Sequence, residues 1–241
     1  MHPRRRSIRS IALGLIAAAL GAPAALALAA DEAIDVTEGG EAIVLLHEGD
    51  LENWTVFVDP RTEPYSPESS TEGIFTVEDG VLHVTGERFA CLTTTDAYQN
   101  YRLVLEFKWG ETRWPPRAEA KRDSGVLLHC VGPDRIWTKS IECQIQEGDC
   151  GDFYMVGGTS LTVGGKAQTG GRFVKTTDAE KPNGEWNTIE VVCDGDRIVN
   201  IVNGTVVNEG TASSETAGRI LLQSEGAEVF YRNVKLLPLD R

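Results

Sequence analysis

Short runs rich in Val, Ile, Tyr and Thr, each closed by a Gly-, Asp- or Asn-containing turn, recur from residue 31 onward, and helical periodicity is nearly absent. This punctuation is the strongest constraint on the fold, because segments so brief bury a face only by pairing as strands. Residues 74–77 and 81–84 flank Asp79-Gly80, a two-residue hairpin signal, since a type I′ turn needs φ > 0 at both central positions. Residues 188–193, 197–202 and 205–208 are separated by Asp194-Gly195-Asp196 and Asn203-Gly204, which predicts a three-stranded meander. Residues 219–223 and 228–237 read as another pair around Ser224-Glu225-Gly226, and 101–109, 124–131, 139–146 and 153–156 complete the set. More than ten strands without alternating helices predict an all-β jelly-roll sandwich with one concave sheet. Residues 60–72, 110–123 and 157–182 read as surface loops, and the last two flank the most polar strands, where a binding site is expected.

The first thirty residues stand apart. Arg4, Arg5, Arg6 and Arg9 form a basic start, residues 11–28 are rich in Ala and Leu, and Ala27-Leu28-Ala29 offers a small-residue cleavage site. The pattern is that of an export signal, so residues 1–30 are expected to be removed and 31–241 to form a single domain, periplasmic or secreted. Gly21 and Pro23 within the apolar stretch argue against a membrane anchor. The leader holds four of the 23 Lys and Arg, which leaves 19 against 36 Asp and Glu, a net charge of −17. Such a balance argues against nucleic acid and anionic membrane as partners, both of which select basic surfaces.

Five cysteines (Cys91, Cys130, Cys143, Cys150 and Cys193) in an exported chain predict up to two bridges and at least one buried free thiol, with a connectivity that spacing does not reveal. No C-x-x-C pair, P-loop, G-x-S-x-G or H-E-x-x-H motif occurs. The unusual segment is Ser140-Ile141-Glu142-Cys143-Gln144-Ile145-Gln146-Glu147. On a strand, Glu142, Gln144 and Gln146 project from one face about 7 Å apart, while Ile141, Cys143 and Ile145 face the other way. A solvated sheet face explains such a row; so does a site whose amides orient a ligand and hold a carboxylate. In the neighbouring run from Asp123 to Cys130, residues Gly125, Leu127 and His129 share a face. That alternation sets His129 across from the Glu142 row as a proton carrier, with a structural histidine as the alternative. Glu106 and Lys108 either add charge to the same polar sheet or form an ordinary exposed pair. Trp109, Trp114 and Trp137 border these strands and could stack on a sugar ring, whereas Trp54 and Trp186 are expected in the core. Arg113, Arg117, Lys121 and Arg122 concentrate positive charge in one loop.

Val77-Glu78-Asp79-Gly80-Val81-Leu82, Asp123-Ser124-Gly125-Val126, Ile141-Glu142-Cys143-Gln144-Ile145, Gly184-Glu185-Trp186-Asn187, Val202-Asn203-Gly204, Ile220-Leu221-Leu222-Gln223 and Phe230-Tyr231-Arg232-Asn233-Val234 follow one another in a specific order and spacing. Together they make the chain, over residues 51–239, similar to the 3-keto-disaccharide hydrolase family, also described as 3-keto-glucoside 1,2-lyase/3-keto-2-hydroxyglucal hydratase domains. The resemblance implies a concanavalin-like jelly-roll sandwich of two antiparallel sheets and cleavage of 3-keto-glucosides or 3-keto-disaccharides. A ketone at C3 acidifies the C2 proton; a base removes it, the C1 substituent leaves, and water adds back. On this reading Glu142 is the base and His129 the proton donor or alternative base. Gln144, Gln146, Asp123, Arg122, Trp109, Trp114, Trp137 and Glu147 line the substrate, and an Arg such as Arg122 or a possible divalent cation steadies the enolate.

Two positions depart from the pattern. Asp123 replaces the Asn of an Asn-Ser-Gly start, and Glu142-x-Gln144-x-x-Glu147 carries Gln where laminarinase-type relatives have the central Asp of E-x-D-x-x-E. A conventional two-carboxylate glycosidase therefore requires a bulge that brings Glu147 onto the face of Glu142. A non-catalytic, lectin-like carbohydrate-binding module is the other alternative, because such sandwiches host both.

Overall fold

The structure, a computed structural model, describes residues 33–60 and 73–239. The expected leader and residues 61–72 of the first expected loop lie outside the described residues. The described chain opens with β1 (Ile34–Asp35), one turn of helix α1 (Val36–Gly39), β2 (Ile43–Val44) and β3 (Trp54–Val58). A hairpin of β4 (Phe75–Glu78) and β5 (Val81–Val84) leads to β6 (Ala90–Thr94), β7 (Tyr98–Gln99) and the long β8 (Tyr101–Arg113). Next come β9 (Asp123–Val131), β10 (Lys139–Gln146), β11 (Phe153–Val163) and β12 (Lys166–Phe173). The meander β13 (Asn187–Asp194), β14 (Arg197–Val202) and β15 (Thr205–Thr211) precedes β16 (Arg219–Ser224) and β17 (Ala227–Leu237).

Fifteen of these strands form one continuous antiparallel sheet that folds over into two layers. The front layer runs β3-β6-β16-β9-β10-β11, with β12 on the flank of β11, and the back layer runs β15-β14-β13-β8-β17-β5-β4, with β2 on β17. They join where β11 pairs β15 through Thr162–Thr211 and Val163–Gly210. This is the expected all-β sandwich. Strand alternation builds its interior: Leu103, Leu105 and Phe107 of β8, Val191 of β13 and Val229 of β17 point at Val126 and Leu128 of β9, Ile141, Cys143 and Ile145 of β10, and Ile220 and Leu222 of β16. Each such side chain contributes roughly 1.5–3 kcal/mol on burial. Across the layers, the Ser124 and Tyr231 hydroxyls share a hydrogen bond of 2.6 Å. Asp79-Gly80 and Asn203-Gly204 turn the two tight hairpins with all four φ angles positive (52°, 73°, 49° and 78°), as type I′ requires.

Several expectations are corrected. The 219–223 and 228–237 runs are strands but not partners: β16 pairs β6 and β9 in the front layer, whereas β17 pairs β8 and β5 in the back. Glu225-Gly226 is thus a crossing between layers, not a hairpin turn. The expected 157–182 loop contains the second half of β11 and all of β12, joined through Gly164-Gly165; small and polar residues there hide the strand pattern. The 110–123 loop begins only after β8 ends at Arg113. All five cysteines are buried free thiols, and no bridge forms.

Candidate active site

The front layer differs from an ordinary sandwich sheet in being closed on both sides: β9 is buried from Asp123 to Cys130 and β10 from Ser140 to Ile145. The inner side meets the core. On the outer side three cross-strand rows lie next to one another. Gln146 faces Asp123, Gln144 faces Gly125, and Glu142 faces Leu127, which in turn faces Leu221 of β16. One step further along β16, Gln223 faces Cys91 of β6, and Glu225 follows at the crossing. Asp123, Glu142, Gln144, Gln223 and Glu225 are all buried here.

Gly125 is what lets this cluster close. A Cβ at that position would stand 2.2 Å from Glu142 Oε1 and 2.2 Å from Gln223 Oε1, so only glycine leaves room for both side chains above the strand. Gly226 does similar work at the rim: with φ of +84° it runs beneath Arg117, whose Cβ would lie 3.0 Å from any added Cβ, and its carbonyl accepts from the Trp114 amide at 2.8 Å. That clamp brings Arg117 into contact with Asp123 Oδ2, which also accepts from Gln146 Nε2 at 2.7 Å, while Asp123 Oδ1 has no partner among the described residues. Trp137, half exposed, packs 6.2 Å from the Phe89 ring at the rim of the cluster, on the side of Glu225.

Three carboxyls are therefore crowded together out of water, with one partly exposed guanidinium on Asp123, and their proton affinities spread. Burial pushes Asp123 up to about 6 against the opposing pull of Arg117 and its hydrogen bonds. Burial, with the charge of Asp123 added, pushes Glu225 to about 8. Glu142, out of water and facing both other acids, is held well above the usual carboxylate range. All three shifts favour the protonated form, and Asp123, beside Arg117, stays the strongest acid of the three.

Of the expected site residues, the structure brings together Glu142, Gln144, Gln146 and Asp123, with Trp137 at the edge. His129 is elsewhere. Between Val131 and Leu128, β9 spends three residues where β10 spends two, and His129 takes the extra place with φ of +53°. This bulge resets the alternation, so that the imidazole turns inward, 5.6 Å from the Tyr101 ring, with Nδ1 against Glu215 O at 3.0 Å. Burial drives its pKa down to about 4, which leaves a neutral interior histidine on the wrong side of the sheet for proton transfer to the Glu142 row. Trp109 points into the core against Phe107. Trp114 is tied to Thr85 O through its indole nitrogen and braces the Arg117 loop. Arg122 and Glu147 pair with each other at 3.2 Å beyond the end of β10, and the β9–β10 register runs unbroken from Ile141 to Gln146. No bulge brings Glu147 onto the face of Glu142, and Arg117, not Arg122, supplies the positive charge. Glu106 and Lys108 lie on the outer side of the back layer. Trp54 is buried as expected, whereas Trp186 is half-buried there beneath Lys108 and Arg232. Among the described residues no group of three or more His, Cys, Asp and Glu side chains is placed to hold a metal ion.

The sequence profile of the 3-keto-alpha-glucoside-1,2-lyase-like domain matches residues 41–237. The chain belongs to that family. No curated protein matches it. Among solved structures, two candidate glycosyl hydrolases from Parabacteroides distasonis share the fold: one at 24% identity and a TM-score of 0.55, over 83% of this chain and 100% of that one, the other at 20% and 0.57, over 85% and 96%. The β-glucanase of Bacillus licheniformis is similar at 10% identity and a TM-score of 0.51, over 84% of this chain and 100% of the other. The chain is thus a 3-keto-alpha-glucoside-1,2-lyase-like domain, of a carbohydrate-acting family, on a glucanase-type jelly roll. Gln223 and Glu225 are the members of this cluster that sequence reasoning does not place, and Arg117 is one of the four basic residues of its loop. Gln223-Ser224-Glu225 alternates around an interior serine, the one sequence signal that pointed to Gln223 and Glu225.

Proposed function

We propose that this chain cleaves 3-keto-glucosides or 3-keto-disaccharides by elimination across C1–C2 followed by hydration, at the Asp123–Glu142–Glu225 cluster. The observation that carries the reading is the crowding of three buried carboxyls, one of them against a guanidinium, which sets their proton affinities apart. An elimination needs a base for the C2 proton and an acid for the departing C1 oxygen, and a pair of environments that push two carboxyls apart supplies both. Asp123, held through Oδ2 by Arg117 and Gln146, offers its free Oδ1 as the base, a role particular to this chain because the family pattern has Asn there. Glu142, protonated in the resting protein, serves as the acid rather than as the base expected from the sequence.

The steps balance. Asp123 takes the C2 proton as the electron pair moves toward the C3 carbonyl oxygen, where Arg117 offsets the growing charge. The C1–O bond then breaks, Glu142 protonates the leaving alcohol, and a 1,2-unsaturated 3-keto sugar remains. Addition of water, with O–H forming the bond to C1 and the proton returning to C2, gives the 3-keto sugar. Trp137 offers an apolar ring face for the sugar, and Gln144, whose Oε1 has no partner among the described residues, faces a substrate hydroxyl.

The test is turnover in deuterated water of a 3-keto-glucoside beside its unoxidised parent. The expected result is cleavage of the ketone only, with deuterium at C2 of the product above the exchange of free ketone. Equal cleavage of the parent, or an unlabelled C2, rejects elimination; binding of either sugar without turnover favours the lectin-like alternative.

A further inference from the structure

Gln223 is wholly buried, and its two ends have different fates. Its Nε2 donates to Ile136 O at 2.9 Å, which fixes the orientation of the amide, since the flipped amide would set two acceptor oxygens against each other. Its Oε1 then has no donor anywhere among the described residues. That orphaned oxygen shares the space over Gly125 with Glu142 Oε1, each 2.2 Å from the point where a Cβ would stand, so the two oxygens are no more than 4.4 Å apart. Two acceptors brought together away from water repel unless a hydrogen lies between them.

We propose that Gln223 is the positioning residue for the catalytic proton: its Oε1 accepts a hydrogen bond from the protonated Glu142 carboxyl, and the Ile136 carbonyl holds the amide in the orientation that does so. This deepens the elimination reading, in which Glu142 delivers that proton. The charged groups acting on Glu142 are Glu225 at the layer crossing and Asp123 on β9, and neither makes a hydrogen bond to it. The amide does so, and by favouring the neutral form it works in the same direction as burial.

Infrared difference spectroscopy tests this without requiring turnover. The native protein is expected to show protonated-carboxyl C=O absorption near neutral pH, from which Glu142→Gln removes one band and leaves that of Glu225. Gln223→Met, similar in size but lacking the acceptor, is expected to move the Glu142 band to higher frequency and to lower its titration midpoint by about one pH unit or more, the worth of one buried hydrogen bond. Gly125→Ala keeps the amide but drives the two oxygens apart, and is expected to move the band the same way, so a folding failure in one variant leaves the other informative. A band and midpoint unchanged in either folded variant overturn the proposal. Should the band shift as expected while the native protein leaves 3-keto-glucosides intact, the elimination reading fails and the role of Gln223 stands.

Discussion

The two outer faces of this sandwich carry similar residues and treat them in opposite ways. On the back, β8 alternates strictly, with Tyr101, Leu103, Leu105 and Phe107 inside and Arg102, Val104, Glu106 and Lys108 outside. Each charge there has a counterpart in partial contact with water: Arg232 Nε meets Glu106 at 2.6 Å, Arg102 Nε meets Glu190 at 2.7 Å, and Lys108 lies 5.1 Å from the Trp186 and Phe230 ring centres. On the front, Asp123, Glu142 and Glu225 are out of water with one guanidinium among them. Paired, wetted charges stabilise a fold a little and do no chemistry. Under-compensated, buried carboxyls cost stability, and a fold keeps them where their altered proton affinity is used. The difference between faces, more than the presence of Glu on a strand, marks the site.

The largest effect expected from this contrast is on turnover. Glu142→Gln keeps shape and removes the proton donor, so kcat/KM on a 3-keto-glucoside should fall ~10²–10⁴-fold, whereas Glu106→Gln on the back face should change it less than about two-fold. Asp123→Asn should match the loss of Glu142→Gln, but the two differ in their response to the leaving group. An acidic aglycone that departs without protonation should rescue Glu142→Gln and leave Asp123→Asn inactive. Rescue of the opposite variant would exchange the roles of base and acid; equal loss in Glu106→Gln would erase the distinction between faces.

Next in size is the pH dependence. With Asp123 ionising at about 6 and the next proton leaving at about 8 or above, kcat/KM should rise through the first region and fall through the second, roughly ten-fold per pH unit on each limb. These limbs belong to the coupled cluster and not to single side chains. Asp123→Asn should remove the acid limb from whatever activity survives, and Glu106→Gln should leave both in place. A profile flat from pH 5 to 9 would place the chemistry away from these carboxyls.

Much of the contrast is legible in the sequence, for a physical reason. Strand alternation is a local property, so Glu142, Gln144 and Gln146 could be set on one face from their spacing alone, and Asp79-Gly80 and Asn203-Gly204 reveal turns whose dihedral needs are local too. What resists reading depends on register and on layers. His129 obeys alternation until one extra residue in β9 reverses it, and nothing in Leu128-His129-Cys130 announces that bulge. Glu225-Gly226 resembles a hairpin turn because a crossing between layers uses the same residues. Arg117 and Arg122 are alike in sequence, and only the Gly226 clamp decides which one meets Asp123.

The smallest effect separates the faces by stability instead of rate. The unfolded chain gives up its carboxyl protons at about 4–4.5. The folded front face keeps those of Glu142 and, up to about 8, Glu225, so the folded state binds more protons than the unfolded one. Stability is then fully present below the unfolded values and is lost as pH rises toward the folded ones, by about 1.4 kcal/mol per pH unit for each retained proton. The window for seeing this is pH 7 to 8.5. Below it His129, whose depressed pKa works with the opposite sign, begins to contribute, and above it the buried thiols add a loss of their own. Within it Asp123 is ionised in both states and drops out. Denaturant titrations should therefore show the native protein losing stability across the window, and Glu142→Gln should lose less because it has no such proton to retain. Glu106→Gln, breaking a half-exposed pair, should shift stability by about 1 kcal/mol or less and keep the native slope. Parallel slopes for native and Glu142→Gln would mean that Glu142 is ionised in the folded state, and the two outer faces would then differ in burial alone.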